Sequence, residues 1–242
     1  MTGSGDAGTL PASDLIDELV IGNKILSHQK VVDAFGHLSV RHDKDPTRYL
    51  MSRHLAPGLV TEADIVTFDL DSNPIVDKGQ RYYSERYIHG EIYKARPEIV
   101  AVVHCHAREL IPYGATGTLL RPIFHMSGFL GAGVPIFEIR EAAGMTNMLV
   151  RTPALGKALA KSLGDKPVVL MRGHGATMVG KSIKQVVYRS IYASVNAQLQ
   201  MDAVKLGQPI FLADEEAKKA AEANDGSLDR AWNYWKHEAL GE

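Results

Sequence analysis

Apolar and polar positions along this chain switch repeatedly between the period of a helix and that of a strand. From Asp14 to Ser27 apolar residues recur at Leu15, Ile16, Leu19, Val20 and Ile25, a helical spacing, with Ser13 or Asp14 placed to cap it. A short second helix is expected from Val31 to Phe35, stopped by Gly36. His37-Leu38-Ser39-Val40-Arg41 then alternates as a strand, 43–47 is turn chemistry, and Tyr49-Leu50-Met51-Ser52 follows as the next strand. Ile65 to Leu70 and Pro74 to Val76 predict a hairpin around Asp71-Ser72-Asn73. Glu85 to Ala95 reads as a helix closed by Arg96-Pro97, and Val100 to His106 as a buried strand.

In the second half, Arg121 to His125 and Val134 to Ile139 are short strand candidates. Pro153 to Leu163 is a helix ended by Gly164, and Val168-Val169-Leu170-Met171 is another apolar strand. Ser182 to Leu206 is a long amphipathic helix ending at Gly207, and the charged, alanine-rich stretch from Asp214 to Ala223 is an exposed helix. Residues 208–242 then form a helical tail, in which Trp232, Tyr234 and Trp235 anchor either on a neighbouring surface or on the same subunit. With no repeat and no linker, 1–242 reads as a single domain, its Gly/Ser-containing first ten residues disordered. Helix, then strands, then helix indicate an α/β fold, a mostly antiparallel sheet between helical layers.

At 242 residues the chain can bury a core without staples, and 45% hydrophobic with 23% charged residues is ordinary for a globular protein. A net charge of −1 gives no footprint for nucleic acid or an anionic membrane. No apolar run approaches the roughly 20 residues of a membrane span. The N-terminus lacks the basic and apolar regions of a signal peptide, so a cytoplasmic enzyme is expected. The one cysteine, Cys105, excludes an intramolecular disulfide and fits a reducing compartment.

Candidate chemistry concentrates on three histidines. His104 and His106 end the apolar run from Ile99, and in a strand residues i and i+2 share a face, so both imidazoles project together while Cys105 faces the other way. His174 follows the apolar run 168–171 and is flanked by Gly173 and Gly175, which let the backbone turn sharply. A single such histidine is more often a satisfied core residue. Three at strand ends are a ligand set that leaves positions open, as a catalytic divalent metal needs.

Ser84-Glu85-Arg86-Tyr87-Ile88-His89, Ile92-Tyr93, Arg96-Pro97, Ala101 to His106, His125 and Gly173-His174-Gly175 together resemble the class II aldolase/adducin family, in order from about Leu15 to Gly207. The resemblance implies a three-layer α/β/α fold and a homotetramer with active sites at subunit interfaces. It also implies one divalent metal per subunit on His104, His106 and His174, manganese or zinc, with iron or cobalt as further options. Glu85 matches the family's acid/base residue. Adducin, a cytoskeletal member, shows that the fold alone does not secure activity.

The chain departs from the sugar-phosphate members where they cradle phosphate. Gly36-His37 stands in place of Gly-Asn, Ser52-Arg53 in place of Thr-Gly, Tyr83-Ser84 in place of Ser-Ser, and Met126 in place of the aldolases' tyrosine acid. Bulk at these positions disfavours a phosphate and suits a planar, carboxylated aromatic ligand bound by His37, Ser52, Arg53, Tyr83 and Ser84. Arg53 as an ion pair with an acid such as Asp64, and His37 as a packed structural residue, are the competing readings. The altered set is similar to the branch containing 3-hydroxy-2-methylpyridine-4,5-dicarboxylate decarboxylase. That similarity implies a metal-dependent decarboxylase of a hydroxy-substituted aromatic or pyridine (di)carboxylate. In it the metal acts as Lewis acid, Glu85 delivers a proton once burial by a substrate that displaces water raises its pKa, His125 assists from a neighbouring subunit and His89 supports the glutamate. An aldolase acting on a non-phosphorylated 2-oxo acid and an Fe(II)-dependent oxygenase are the alternatives.

Overall fold

A computed structural model describes residues 10–241. The expected disorder of the N-terminus falls outside these except at Leu10, which is exposed and accepts a hydrogen bond from Lys44 Nζ. The described residues form strands β1 (His37–Arg41), β2 (Arg48–Ser52), β3 (Ile65–Asp69), β4 (Ala101–Cys105), β5 (Ile136–Phe137), β6 (Val168–Met171) and β7 (Gly175–Gly180). Helices are α1 (Ser13–His28), α2 (Tyr87–Ala95), α3 (Ile111–Thr116), α4 (Ile139–Ala143), α5 (Pro153–Leu163), α6 (Ile183–Leu206), α7 (Asp214–Asp225) and α8 (Leu228–Leu240). The strands make one sheet in the order β3-β2-β1-β4-β7-β6-β5, antiparallel throughout except where β5 runs parallel to β6.

The central strands are buried on both faces, so each alternation sorts residues between two layers rather than between core and solvent. Leu38 and Val40 of β1, Ala101, Val103 and Cys105 of β4, and Ala176 and Met178 of β7 pack under α1, α6 and α8. Tyr49 and Met51 of β2, Val102 of β4, Val169 and Met171 of β6, and Val179 of β7 pack under α2 and α5. A fully buried Leu, Val or Ile contributes about 1.5–3 kcal/mol, so these two cores hold the helical layers against the sheet. The result is the three-layer α/β/α arrangement with a mostly antiparallel centre. No helix among the described residues is long and apolar enough to cross a membrane.

Several local expectations are corrected. Residues 31–35 are not a helix: α1 ends at His28, Lys30 turns to φ 60°, and the Val31 and Val32 N–H groups bond back to Leu26 O. Five residues offer too few intrahelical bonds to offset nucleation. Residues 121–125 are not a strand, because side-chain amides of α6 replace a strand partner: Gln200 Oε1 accepts from Arg121 N and Asn196 Oδ1 from Ile123 N, both at 2.9 Å. Of the strand expected over 134–139, only β5 forms before α4 begins. The hairpin near Asp71 shrinks to one bridge, Phe68 to Pro74, since proline cannot donate to a ladder. The helix expected from Glu85 starts at Tyr87, leaving Glu85 in the preceding turn.

β7, α3 and α4 have no counterpart in the sequence reading, while α7 and α8 form the helical tail expected over 208–242. The first merges with the glycine turn. Trp232 and Trp235 are buried in this chain's own core, Trp235 5.9 Å from the Tyr192 ring, while Tyr234 is exposed. Helix α7 is largely exposed but seats Ala217 against the 3-10 segment His125–Ala132, where Gly131 leaves room for it.

Candidate active site

The turn joining β6 to β7 carries His174 to the end of β4, where His104 and His106 stand. Gly173 adopts φ +65° in that turn, and a Cβ on Gly175 would lie 2.0 Å from Cys105 O, so only glycine lets the strands approach this closely. His106 Nε2 lies 3.1 Å from His104 Nε2 and 3.0 Å from His174 Nε2. Glu85 Oε2 stands 3.8 Å from the former's partner, His104, and 3.6 Å from His174 Nε2, too far for hydrogen bonds. All four groups fall within 4.8 Å of one another.

Three imidazole nitrogens turned toward one another beside a carboxylate form a candidate cation site. Ligands about 2.1 Å from a shared ion and about 90–110° apart lie about 3.0–3.4 Å from each other, which the histidine spacing matches. The outer nitrogens agree. His174 Nδ1–H donates to Met148 O at 3.0 Å, which leaves Nε2 bare, and His104 Nδ1 faces Thr177 Oγ1 at 3.3 Å. Burial pushes His104 well below the usual histidine pKa and lowers His106 as well, so both are held neutral, as ligands must be. The residues fit a divalent metal.

Glu85 is fixed by Val150 N–H, which donates to Oε1 at 2.8 Å. Burial pushes this carboxyl up, but His174, His104 and the Val150 N–H outweigh it and bring it down to about 2. In the free site, before any substrate displaces water, Glu85 is therefore a carboxylate. Met148, in the left-handed region at φ 71°, turns its carbonyl to His174 two residues before Val150 grips Glu85. One loop thus positions a metal ligand and the acid/base group. The sequence reading missed this loop, and its only local signal is the turn chemistry of Thr146 and Asn147, which accept from Met148 N and Leu149 N.

Of the expected substrate residues, His37 adjoins this cluster, and Tyr83 and Ser52 follow it in a line of contacts. His37 pairs with His104 across β1 and β4, with ring centroids 5.0 Å apart, and its ring lies 4.7 Å from that of Tyr83. Tyr83 O–H donates to Leu55 O, and Ser52 Oγ lies 3.3 Å from the Tyr83 oxygen. Arg53 makes the ion pair with Asp64: its Nε donates to Oδ1 at 2.7 Å, and Thr61 N–H and O–H hold the other carboxylate oxygen. That pairing still leaves both terminal guanidinium nitrogens without a partner among the described residues. Ser84 is exposed. His125 is not brought to the cluster. It is exposed and lines a cavity of about 600 Å³ with Tyr188, Tyr192, Arg230, Tyr234 and Trp235. His106 opens into a cavity of about 430 Å³ shared with Lys30, Asp33, Arg108 and Glu109.

Comparisons with known proteins follow the same lines. Residues 17–201 match the Class II Aldolase and Adducin N-terminal domain. Decarboxylase tropJ of Talaromyces stipitatus is 39% identical over 95% of both chains. The 3,4-dihydroxyphthalate decarboxylase of Arthrobacter keyseri is 31% identical over 92% of this chain and 91% of its own. Among solved structures, L-fuculose 1-phosphate aldolase from Glaciozyma antarctica superposes with a TM-score of 0.78 at 21% identity, covering 97% of this chain and 95% of that one, a likeness of fold.

Proposed function

The chain belongs to the class II aldolase and adducin family, and on that premise we propose that it is a metal-dependent decarboxylase of a hydroxy-substituted aromatic or pyridine carboxylate. The observation that carries the proposal is the convergence of three imidazole nitrogens beside a carboxylate, with the His37 ring against His104 and the Tyr83 ring against His37. The two decarboxylase relatives support it, one of them named for a dihydroxy-aromatic dicarboxylate.

His104, His106 and His174 would hold manganese or zinc, whose Lewis acidity stabilises the negative charge that departing CO2 leaves on the ring. Glu85 starts as a carboxylate and so acts first as a base, taking the proton of the substrate hydroxyl at Oε2. The C–C bond to the carboxylate breaks, its electrons pass to the ring, and Glu85 returns the proton to the ring carbon. The product hydroxylate regains a proton from water on release. Arg53, its Nε fixed by Asp64, offers its two free nitrogens to a second carboxylate, and the Tyr83 face and His37 orient the ring. Ser52 and Ser84 complete the binding wall. His125 joins the site only from another subunit, and exposed Val195, Leu199, Val204 and Leu206 along α6, with Ile210, favour the homotetramer that would supply it.

The test is anaerobic CO2 release from a panel of hydroxy-aromatic and hydroxypyridine carboxylates, 3,4-dihydroxyphthalate among them, by protein reconstituted with Mn(II). Release that stops on chelation is expected. Glu85→Gln is expected to abolish it with metal content unchanged, and loss of metal would instead make Glu85 a ligand. Pyruvate or aldehyde release from 2-oxo acids alone would overturn the proposal in favour of an aldolase, and turnover only with Fe(II) and O2 in favour of an oxygenase.

A further inference from the structure

Behind the metal cluster, on the α2 face of the sheet, four buried polar side chains form an unbroken line. His37 Nδ1 lies 2.6 Å from His89 Nε2, His89 Nδ1 lies 2.6 Å from Ser39 Oγ, and Ser39 Oγ lies 2.7 Å from Tyr93 OH. Ser39 and His89 have no exposed surface, Tyr93 is 1% exposed and His37 4%. The metal ligands account for none of these contacts.

The direction of the line follows from its inner end. Val100 O already accepts the Arg41 N–H at 2.6 Å and lies 3.4 Å from Tyr93 OH, a poor acceptor position for it. The phenol is kept protonated by burial, so its proton goes to the near oxygen of Ser39. Ser39 then has only His89 Nδ1 left to receive its own proton. His89, which burial brings down to about 3, is neutral and must carry its hydrogen on Nε2, where it donates to His37 Nδ1. His37 Nε2 has no partner and is not among the fully occluded polar atoms, so it remains open to a ligand.

We infer that Tyr93, Ser39 and His89 form a one-directional hydrogen-bond chain that fixes His37 with its proton on Nε2, making it a donor to a carboxylate or hydroxylate oxygen of the substrate. Tyr93, Ser39 and His89 are positioning residues; His37 alone meets the ligand. In naming that ligand the inference rests on the decarboxylase reading, but the tautomer does not. A neutral donor held this way can grip an anionic oxygen without carrying a charge into the site.

The experiment is a long-range proton–nitrogen correlation spectrum of the full chain, labelled with 15N-histidine and loaded with diamagnetic Zn(II), with His37→Gln used to assign the His37 signals. Both His37 and His89 are expected to be neutral with the proton on Nε2, and a proton on Nδ1 of either overturns the inference outright. Ser39→Ala is expected to leave His37 as a mixture of tautomers. It should also raise KM about tenfold, the equivalent of one hydrogen bond, at unchanged metal content. Ser39→Thr, which keeps the hydroxyl, should restore both. A single unchanged tautomer in Ser39→Ala also overturns the chain. The wild-type spectrum decides the direction even if that variant fails to fold. If no carboxylate is turned over, the decarboxylase reading fails while the spectrum still answers for His37.

Discussion

His37 and Leu38 are neighbours in β1, both almost wholly buried, and they belong to different kinds of interior. Leu38 faces α1 and α6, in a core of aliphatic and aromatic side chains. His37 faces α2, where Ser39, His89, Tyr93, His104 and Thr177 put polar atoms into a region no less buried. Burial alone therefore does not distinguish packing from chemistry in this sheet. Satisfaction of polar atoms does: among the described residues, the fully occluded side-chain atoms without partners, Asn23 Oδ1 and Arg189 Nε, both lie on helices of the layer containing α1 and α6. On the α2 face every such atom among the described residues is paired, which is what a buried polar network requires to avoid costing stability.

The sharpest way to break this comparison is one substitution on each face. His104→Ala removes a metal ligand, and is expected to abolish both metal retention and turnover while the fold persists. Leu38→Ala removes side-chain volume from the other face and is expected to cost about 2–5 kcal/mol in urea unfolding, with near-normal activity per folded molecule. Metal analysis beside denaturation curves separates the two. If Leu38→Ala reduces metal content in folded protein, the faces are coupled and the division drawn between them fails.

That division was partly legible in the residues. The HxH spacing put His104 and His106 on one face and Cys105 on the other, and glycines around His174 marked the turn that delivers it. These are local facts of strand period and backbone freedom. The loop that holds His174 and Glu85 was not legible, because Met148 and Val150 act through main-chain atoms, which no side-chain pattern announces. Nor was the line from Tyr93 to His37, since His37 and His89 are 52 positions apart and meet only when α2 settles across β1. The expected strand at 121–125 failed for a related reason: its partners are side chains of α6, and hydrophobic periodicity cannot distinguish these from a neighbouring strand. His125 is placed away from the metal, and only an oligomer can test its expected role.

A smaller effect separates the faces by pH. His89 is held neutral, with a folded pKa of about 3 against about 6.5 unfolded, by burial that Glu85 only partly opposes. Because the unfolded chain binds the proton more readily, the stability linked to His89 is fully present above about pH 6.5. It is lost as pH falls toward 3, by an amount on the order of 5 kcal/mol. His37 and His104, also lowered by burial, act with the same sign. Metal-free protein is therefore expected to lose urea resistance between pH 7 and 4, with His89→Gln showing a shallower decline. Equal slopes for the two would mean that the α2 face does not hold His89 neutral.

The smallest expected effect belongs to Cys105, which makes the comparison stricter because it sits between two metal ligands. Its side chain is fully buried in the core under α1 and α6, and burial pushes its thiol up to about 12. A ligand or nucleophile needs a thiolate, so this residue should do neither, despite its position in the motif. Cys105→Ala is expected to leave metal content, KM and kcat unchanged and to cost about 1 kcal/mol for the lost sulfur. A thiol reagent should label the native protein only at the rate of unfolding. Fast labelling, or a metal affinity that falls in Cys105→Ala, would mean that β4 can rotate this residue toward His104 and His106, and that the two faces are not fixed. Unchanged metal binding with slow labelling would show that a one-residue step along a strand separates chemistry from packing here.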